Sequence, residues 1–440
     1  MAAAVSLRRS PPSDMLCMMP RSTRLLCLLL AVATRLGAQH DGHPEHARDA
    51  RHRDSASAMA TTVLTHVAPS LAGRARTEAL FTQPMLVLRG ARRGGALRYA
   101  VMLNAEQWTM PDGEPVAGIW GEGFIDRRHP HTVLHEVMLT GMRQIGRGSV
   151  SLSGGRGIVP FGTDDPMVRP FTKYPANHHH AQILERIQII AAIRPVPHIG
   201  LEAATFNGDE PASPTAPPRW RRFGDSKAAR VTVWPAHGLE VQGSVASLRS
   251  PEFVGGEGLD QRKWSASARW TPRVAGGHYM LAEWARTDDR YQERTLAGYG
   301  TALVEGLAAL RRVTVAIRAE QTSRHEEERL LDPFRTSRPP SDLTIKGITR
   351  WRLLTGQVAV AIPPVRALHG SVFLETTYAR SAPQLRPVLL DPADVIGARA
   401  SWYLSGGLRL GLGAMPLRVG RYGAAAGGPM TDVPLAMRHR

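Results

Sequence analysis

The sequence predicts an all-β fold, a transmembrane antiparallel β-barrel of about 16–18 strands within an outer range of roughly 14–18. Three observations favour this fold class. Apolar and polar residues alternate along many segments, short turns alternate with long polar loops, and no run of about 20 apolar residues follows the first 40 positions. A barrel strand needs an apolar residue only at every second position, so a mean hydropathy of −0.21 is compatible with crossing a membrane.

The first part of the chain, residues 1–38, predicts a secretory signal peptide. Arg21 and Arg24 precede an apolar run at 25–33, and the small residues Gly37 and Ala38 provide a cleavage site. Both cysteines of the chain fall within this segment. We therefore expect an exported chain without cysteine, which needs no disulfide chemistry in an oxidising compartment.

Residues 39–58 are polar and rich in histidine and show no periodicity, so they predict a disordered leader. The barrel is then expected over 59–440. Apolar and polar residues alternate there at 264–271, 313–320 and 398–404, which gives each strand one apolar and one polar face. A soluble β-sandwich shows the same alternation, so the connections decide between the two architectures.

The connections alternate between short and long. Tight turns are expected at 92–95, 146–148, 195–198, 235–238, 272–277, 310–312, 363–368 and 405–407. Long polar loops are expected at 107–132, 154–181, 207–227, 249–262, 287–297, 323–341 and 380–393. Short periplasmic turns with long external loops are typical of outer-membrane barrels. These hairpins predict about sixteen strands, and further strands at 61–67 and 429–437 would raise the number to about eighteen.

The positive charge of the chain argues against a nucleic-acid-binding protein. The formal net charge is +17, and most of it comes from arginine. Nucleic-acid-binding proteins concentrate basic residues on one face or tail, whereas these arginines are spread over the whole length. The pattern favours a polar lumen with polar loops, and a GC-rich genome would also explain the arginine content.

The loop at 154–181 is the candidate constriction of a pore. It contains four prolines, each of which fixes its own φ angle. A loop that folds into a lumen must hold its shape, so this stiffness favours an inward-folded loop over an external cap. Selectivity depends on the charges at such a constriction. The charged candidates are Arg156, Asp164, Asp165, Arg169 and Arg186.

Six histidines in two loops form a candidate site for a transition metal, since imidazole is a ligand of Zn, Cu and Ni. They are His129, His131, His135, His178, His179 and His180. The alternative is that these side chains hydrogen-bond the loop backbone and hold the two loops together. No cofactor other than this possible metal is expected.

Four segments resemble those of a family of largely uncharacterised bacterial porin-like outer-membrane proteins. They are the DRRHPH segment at 126–131, the proline-rich loop that ends in His178 to His180, FNGDEP at 206–211, and SPE at 250–252. The sequence departs from the family at Thr132, where an acidic residue is usual, and at 182–186. The resemblance implies an outer-membrane barrel, and an association with metal efflux.

The expected function is passive diffusion of small hydrophilic solutes through a porin-like channel of the bacterial outer membrane, with a mild preference for anions. Expected partners are outer-membrane lipid, the barrel-assembly machinery and small solutes, and no nucleic acid; the oligomeric state stays open. One alternative is a plugged structural or adhesive barrel, and another is an outer-membrane hydrolase. The sequence contains no G-x-S-x-G, HExxH or Walker-type phosphate motif, so we do not expect an enzyme.

Overall fold

A computed structural model describes residues 54–110, 131–163, 166–172, 178–217, 219–251, 255–272, 278–327, 345–384, 391–414 and 418–426. The predicted signal peptide and most of the predicted leader lie outside these ranges. So do Asp164, Asp165 and His129.

The described residues form a closed antiparallel barrel of sixteen strands. The first eight are β1 (Asp54–Ala68), β2 (Arg76–Arg92), β3 (Leu97–Asn104), β4 (Leu134–Ile145), β5 (Gly148–Gly157), β6 (Arg186–Val196), β7 (Ile199–Phe206) and β8 (Ser226–Ala236). The others are β9 (Leu239–Leu248), β10 (Asp260–Trp270), β11 (Tyr279–Tyr291), β12 (Arg294–Leu310), β13 (Val313–Glu327), β14 (Ile345–Val365), β15 (Leu368–Pro383) and β16 (Ala400–Leu412). Each strand pairs with its neighbours in the chain, and β1 pairs with β16 to close the barrel.

Within the described ranges, short α-helices occur only in the connections between strands. They are α1 (Glu106–Thr109), α2 (His178–Ala181) and α3 (Pro392–Ile396). None of the helices described is long and apolar enough to cross a membrane.

The two faces of the sheet have the polarity of a membrane barrel. Along β9, Glu240, Gln242 and Ser244 are buried on the inner face, whereas Val241 and Val245 are exposed on the outer face. Leucines on the outer faces of other strands are more than half exposed, for example Leu152 at 60% and Leu374 at 58%. An apolar exterior around a polar interior is stable only in lipid, so the predicted transmembrane barrel is confirmed. The architecture is that of an outer-membrane protein.

The strand number lies within the predicted range, but the ends of the barrel differ from the prediction. The strand β1 begins at Asp54, so the last residues assigned to the leader belong to the barrel. Asp54 accepts hydrogen bonds from Arg92 and Tyr99 at 2.5 and 2.8 Å, which hold the start of β1 against β2 and β3. The predicted strand at 429–437 lies outside the described residues, and β1 and β16 close the barrel without it.

The predicted turn at 405–407 was wrong, because these residues lie inside β16. Gly406 and Gly407 suggested a turn, but Gly407 pairs with Phe373 of β15. A Cβ atom at Gly407 would lie 2.6 Å from the Phe373 ring. The glycine therefore provides room for an aromatic ring in a continuous strand, an arrangement known from other sheets.

The predicted long loop at 287–297 was also wrong. Tyr291 pairs directly with Arg294, so β11 and β12 are joined by a tight turn of Gln292 and Glu293. Gln292 adopts a positive φ of 54° there. The charged residues of this segment suggested a solvated loop. They form instead the ends of the long strands β11 and β12 and the turn between them.

Most of the tight turns lie at one end of the barrel and most of the longer connections at the other, and the tight turn between β11 and β12 is an exception at the end with the longer connections. A turn of four residues joins β2 to β3, and turns of two residues join β4 to β5, β6 to β7 and β8 to β9. The connections at 105–133, 158–185 and 207–225 leave the opposite end. Because the described strand number is even, β1 begins and β16 ends on the side of the short turns.

Candidate functional site

The connection between β5 and β6, residues 158–185, is here called the inward loop because it enters the barrel. Near its start, the amide of Gly162 donates to Ser244 Oγ of β9 at 3.0 Å. The guanidinium of Arg230 in β8 donates to the carbonyl of Gly162 at 3.2 Å. Two strands that are not neighbours of β5 or β6 therefore hold the first part of the loop.

The middle of the inward loop reaches the opposite wall. The amide and hydroxyl of Thr172 both donate to the carboxylate of Glu375 in β15, each at 2.8 Å. Gln357 of β14 and Arg409 of β16 donate to the carbonyl of Pro170 at 2.8 and 3.0 Å. The described part of the loop thus spans the lumen from β5 to β14–β16.

Buried apolar side chains also hold the inward loop inside the barrel. Phe161, Met167 and Phe171 are each only 1% exposed. The guanidinium of Arg318 in β13 lies 4.6 Å from the centre of the Phe171 ring, a distance at which a cation is attracted to the ring face. The described part of the inward loop is packed like a protein core.

Arg169, one of the predicted selectivity residues, is buried in a cluster of charged side chains. Its guanidinium lies 3.4 Å from Glu283 of β11 and 3.7 Å from Glu305 of β12. It also donates to the hydroxyl of Thr163 at 2.9 Å, and that hydroxyl donates to Glu283. A buried charge requires such partners to offset its desolvation, so Arg169 fastens the loop to the wall.

Arg156 and Arg186 lie together at another place, where the inward loop joins β5 and β6. Both are buried. Arg186 donates to the carbonyl of Leu184 at 2.9 Å and pairs with Glu210 at 3.3 Å. Arg156 lies within electrostatic range of Glu185 and Arg186. The structure therefore divides the described arginine candidates between two positions.

The three candidate metal-site histidines whose side chains the structure describes contact carboxylates or aromatic rings. His131 Nδ1 lies 3.0 Å from Glu106, and His135 Nδ1 lies 2.6 Å from Glu185. The two imidazoles pack edge to face at 5.2 Å. His180 lies elsewhere, with its ring 5.3 Å from that of Tyr299 in β12.

Nothing is described of the side chains of His178 and His179. Among the residues that the structure describes, no group of three or more His, Cys, Asp or Glu side chains is arranged to hold a metal. The metal site stays a prediction.

Glu185 joins the inward loop to the 131–135 segment. Its carboxylate accepts hydrogen bonds from the Thr132 amide at 2.9 Å and from His135. Burial raises the pKa of Glu185, but the hydrogen bond from His135 and the nearby charges outweigh burial, so the pKa lies below its ordinary value. The carboxylate is therefore ionised at neutral pH.

A second segment enters the lumen after the last strand. Residues 418–426 are here called the C-terminal segment. Arg418 donates to both oxygens of Glu240 in β9 at 2.8 and 2.7 Å, and Arg421 donates to one of them at 2.9 Å. The amide of Ala424 donates to Ser151 Oγ of β5 at 2.8 Å. This segment was not predicted, since its small residues and arginines show no strand or helix periodicity.

The two inward segments also contact each other. The hydroxyl of Tyr422 accepts a hydrogen bond from the amide of Ile158 at 3.1 Å. Val419 packs in one apolar cluster with Ile158, Met167 and other buried side chains. The lumen beside β4–β9 is therefore occupied by both segments together.

The inner wall at the short-turn end of β13–β16 is more open. The inward-facing residues Thr314, Ala359, Ser371 and Arg409 are only half-buried there. Inward-facing residues of β7–β9 near the same end, such as Glu202, Thr232 and Glu240, are buried. This half-buried region is here called the vestibule.

The acidic partners inside the barrel were not among the predicted site residues. Glu202, Glu240, Glu283, Glu305 and Glu375 are each 6% exposed or less. Each stands at an inward position of its strand, between outward-facing residues. A carboxylate at a polar position of an alternating strand would have indicated these residues. The predicted sites were instead chosen mainly from the excess of arginine.

No family model matches the sequence, and no curated protein is similar to it. Solved outer-membrane proteins resemble it at low identity. An anion-selective porin from Comamonas acidovorans is 12% identical, with a TM-score of 0.49 and coverage of 82% of this chain and 100% of that chain. OprB of Pseudomonas putida is 11% identical, with a TM-score of 0.49 and coverage of 82% and 94%. The outer membrane channel DcaP of Acinetobacter baumannii is 9% identical, with a TM-score of 0.44 and coverage of 83% and 98%. The strand pairing, rather than these similarities, defines the barrel.

Proposed function

We propose that the protein is a porin-like, non-enzymatic channel for small hydrophilic solutes. The observation that carries this proposal is the inward loop, which is fixed to opposite walls through Gly162 and Thr172. A rigid loop across a polar lumen reduces the diameter of a pore and defines its charges. The vestibule leads to this loop along β13–β16.

The charges along this route support a mild anion preference. Inside the barrel, several arginines are neutralised by carboxylates, as in the pairs Arg230–Glu202 and Arg318–Glu320. Arg409 is half-buried in the vestibule and donates to the Pro170 carbonyl at the edge of the inward loop. Its guanidinium attracts anions to the narrow part of the route.

The test is the conductance of purified protein in planar lipid bilayers under a salt gradient. We expect stepwise conductance and a reversal potential that favours anions. Arg409→Gln should move the reversal potential towards zero, because it removes a positive charge beside the passage. Arg352→Gln is the matched control, since Arg352 is exposed on the outer face of β14, and it should leave the reversal potential unchanged.

The absence of conductance steps from every variant would exclude the channel. A plugged structural or adhesive barrel is the second candidate, and the buried inner faces of β7–β9 favour it. The hydrolase alternative requires hydrolysis of lipid or peptide that is lost when a serine or histidine at the rim is changed.

The possible association with a transition metal is tested separately. A titration of the exported chain with Zn²⁺ should show binding that is reduced in a His178→Ala, His179→Ala, His180→Ala triple variant, because imidazole is a preferred zinc ligand. Equal binding by the two proteins would remove this site. The His66→Ala variant is the control, since His66 lies on the outer face of β1.

A further inference from the structure

The C-terminal segment is held in the barrel in a different way from the strands. Each of its hydrogen bonds with the wall involves at least one side chain: Arg418 and Arg421 bind Glu240, and Ser151 Oγ accepts from the amide of Ala424. The strands, in contrast, are joined by continuous ladders of backbone hydrogen bonds, such as the pairing of β1 with β16. The segment can therefore leave the lumen without breaking the barrel.

The C-terminal segment packs against the first residues of the inward loop. Gly420 adopts a positive φ of 78° and lies so close to Ile158 that a Cβ atom there would be 2.8 Å from that side chain. Ala425 is fully buried and faces Gly200 of β7. The segment thus fills the space between the inward loop and the wall formed by β5–β9.

The segment also neutralises an acidic group of this wall. Glu240 is 7% exposed at its side chain and is paired with two arginines of the segment. The indole of Trp234 donates to the same carboxylate at 3.1 Å. Glu202 nearby is already paired with Arg230 of the wall itself, so departure of the segment would leave one negative charge at Glu240 without its arginine partners.

From these observations we propose that residues 418–426 are a displaceable plug. The plug closes the part of the lumen beside β4–β9, and its release opens a second, wider passage. Glu240 then lies on the wall of that passage, so the open state favours cations where the closed state favours anions. This proposal rests on the proposed channel function.

An engineered disulfide tests whether the plug moves. A Cβ atom at Gly200 would lie 3.1 Å from the Cβ of Ala425, a few tenths of an ångström from the roughly 3.5–4.5 Å found in disulfides. The variant is Gly200→Cys with Ala425→Cys, in a chain whose Cys17 and Cys27 are replaced by Ser. The oxidised protein should remain in the low-conductance state, and reduction should restore the occurrence of larger steps. The single variants Gly200→Cys and Ala425→Cys are the controls for the effect of the reductant.

Truncation provides the second test and does not depend on formation of the disulfide. A chain that ends after Ala414 lacks the plug but keeps all of β16. We expect a several-fold larger single-channel conductance and a shift of the reversal potential towards cation selectivity. The shift should be abolished by Glu240→Gln in the truncated chain. A chain that lacks only residues 427–440 keeps the plug and should behave like the full chain.

The outcomes separate the plug from the channel. Equal, measurable conductance of the full and truncated chains, whether or not the disulfide is formed, would overturn the plug and leave the channel standing. If neither chain conducts, although circular dichroism shows that both are folded, the plug and the channel are both excluded. A larger conductance without the cation shift would overturn the role of Glu240.

Discussion

At the scale of single residues, the interior of this barrel is organised by paired charges. Arg169 lies between Glu283 and Glu305, and Arg230 donates to both oxygens of Glu202 at 2.6 and 2.8 Å. Removal of one member of a buried ion pair lowers the free energy of unfolding by more than the intact pair contributes to it, because the remaining charge stays desolvated. The wall and the inward loop are therefore joined by contacts that tolerate little substitution.

Arg169→Met tests this at the loop. The change removes the positive charge that Glu283 and Glu305 share and should lower the free energy of unfolding by about 3–5 kcal/mol. Urea unfolding in detergent micelles, followed by tryptophan fluorescence, measures the difference. Arg143→Met is the control because Arg143 is exposed near the end of β4, and a change at the surface is expected to be small.

An unfolding midpoint of Arg169→Met equal to that of the Arg143→Met control would show that the cluster contributes no stability. Arg169 was predicted to be a charged residue of the pore constriction because it lies in a proline-rich loop. Its partners could not be inferred, since Glu283 and Glu305 are more than a hundred residues away along the chain. Pairing across a lumen depends on barrel geometry, which local patterns do not contain.

At the scale of elements, strand alternation was predictable and the turns were less so. The alternation at 264–271 falls in β10 except for its last residue, and that at 313–320 falls in β13. The pair Gly406 and Gly407 was misread because glycine serves both turns and crowded strand positions. The deciding neighbour, Phe373, lies on another strand.

Glycine substitutions test this explanation. Gly407→Ala should destabilise the barrel, since its new methyl group would meet the Phe373 ring and the carbonyl of Thr62. Gly356→Ala in β14 is the matched control, because a Cβ atom there would have no neighbour within 4 Å. The control should be neutral or more stable by about 0.5–1 kcal/mol, as alanine is less flexible in the unfolded chain.

The fraction of heat-resistant folded barrel in semi-native gel electrophoresis compares the two glycine variants. If Gly407→Ala folds as well as Gly356→Ala, the ring of Phe373 does not require a glycine beside it. Such a result would leave the continuity of β16 unexplained.

At the scale of the whole molecule, the sequence predicted an exterior for lipid and an interior for water, and the described barrel has this polarity. The segments that occupy the lumen were harder to predict from the sequence. Four prolines and the flanking glycines marked the inward loop as unusual, whereas the C-terminal segment carried no periodic signal. Its position follows from contacts with Glu240, Ser151 and Ile158, which belong to distant parts of the chain.

The return of residues 418–426 into the barrel has a consequence for folding kinetics. The hydrogen bonds of Arg418, Arg421, Tyr422 and Ala424 join residues 178, 181, 264 and 273 positions apart. Contacts between such distant positions form slowly, because a long loop must first be closed. The seat of the segment exists only after β5–β9 have assembled. We therefore expect residues 418–426 to dock only after β5–β9 have assembled.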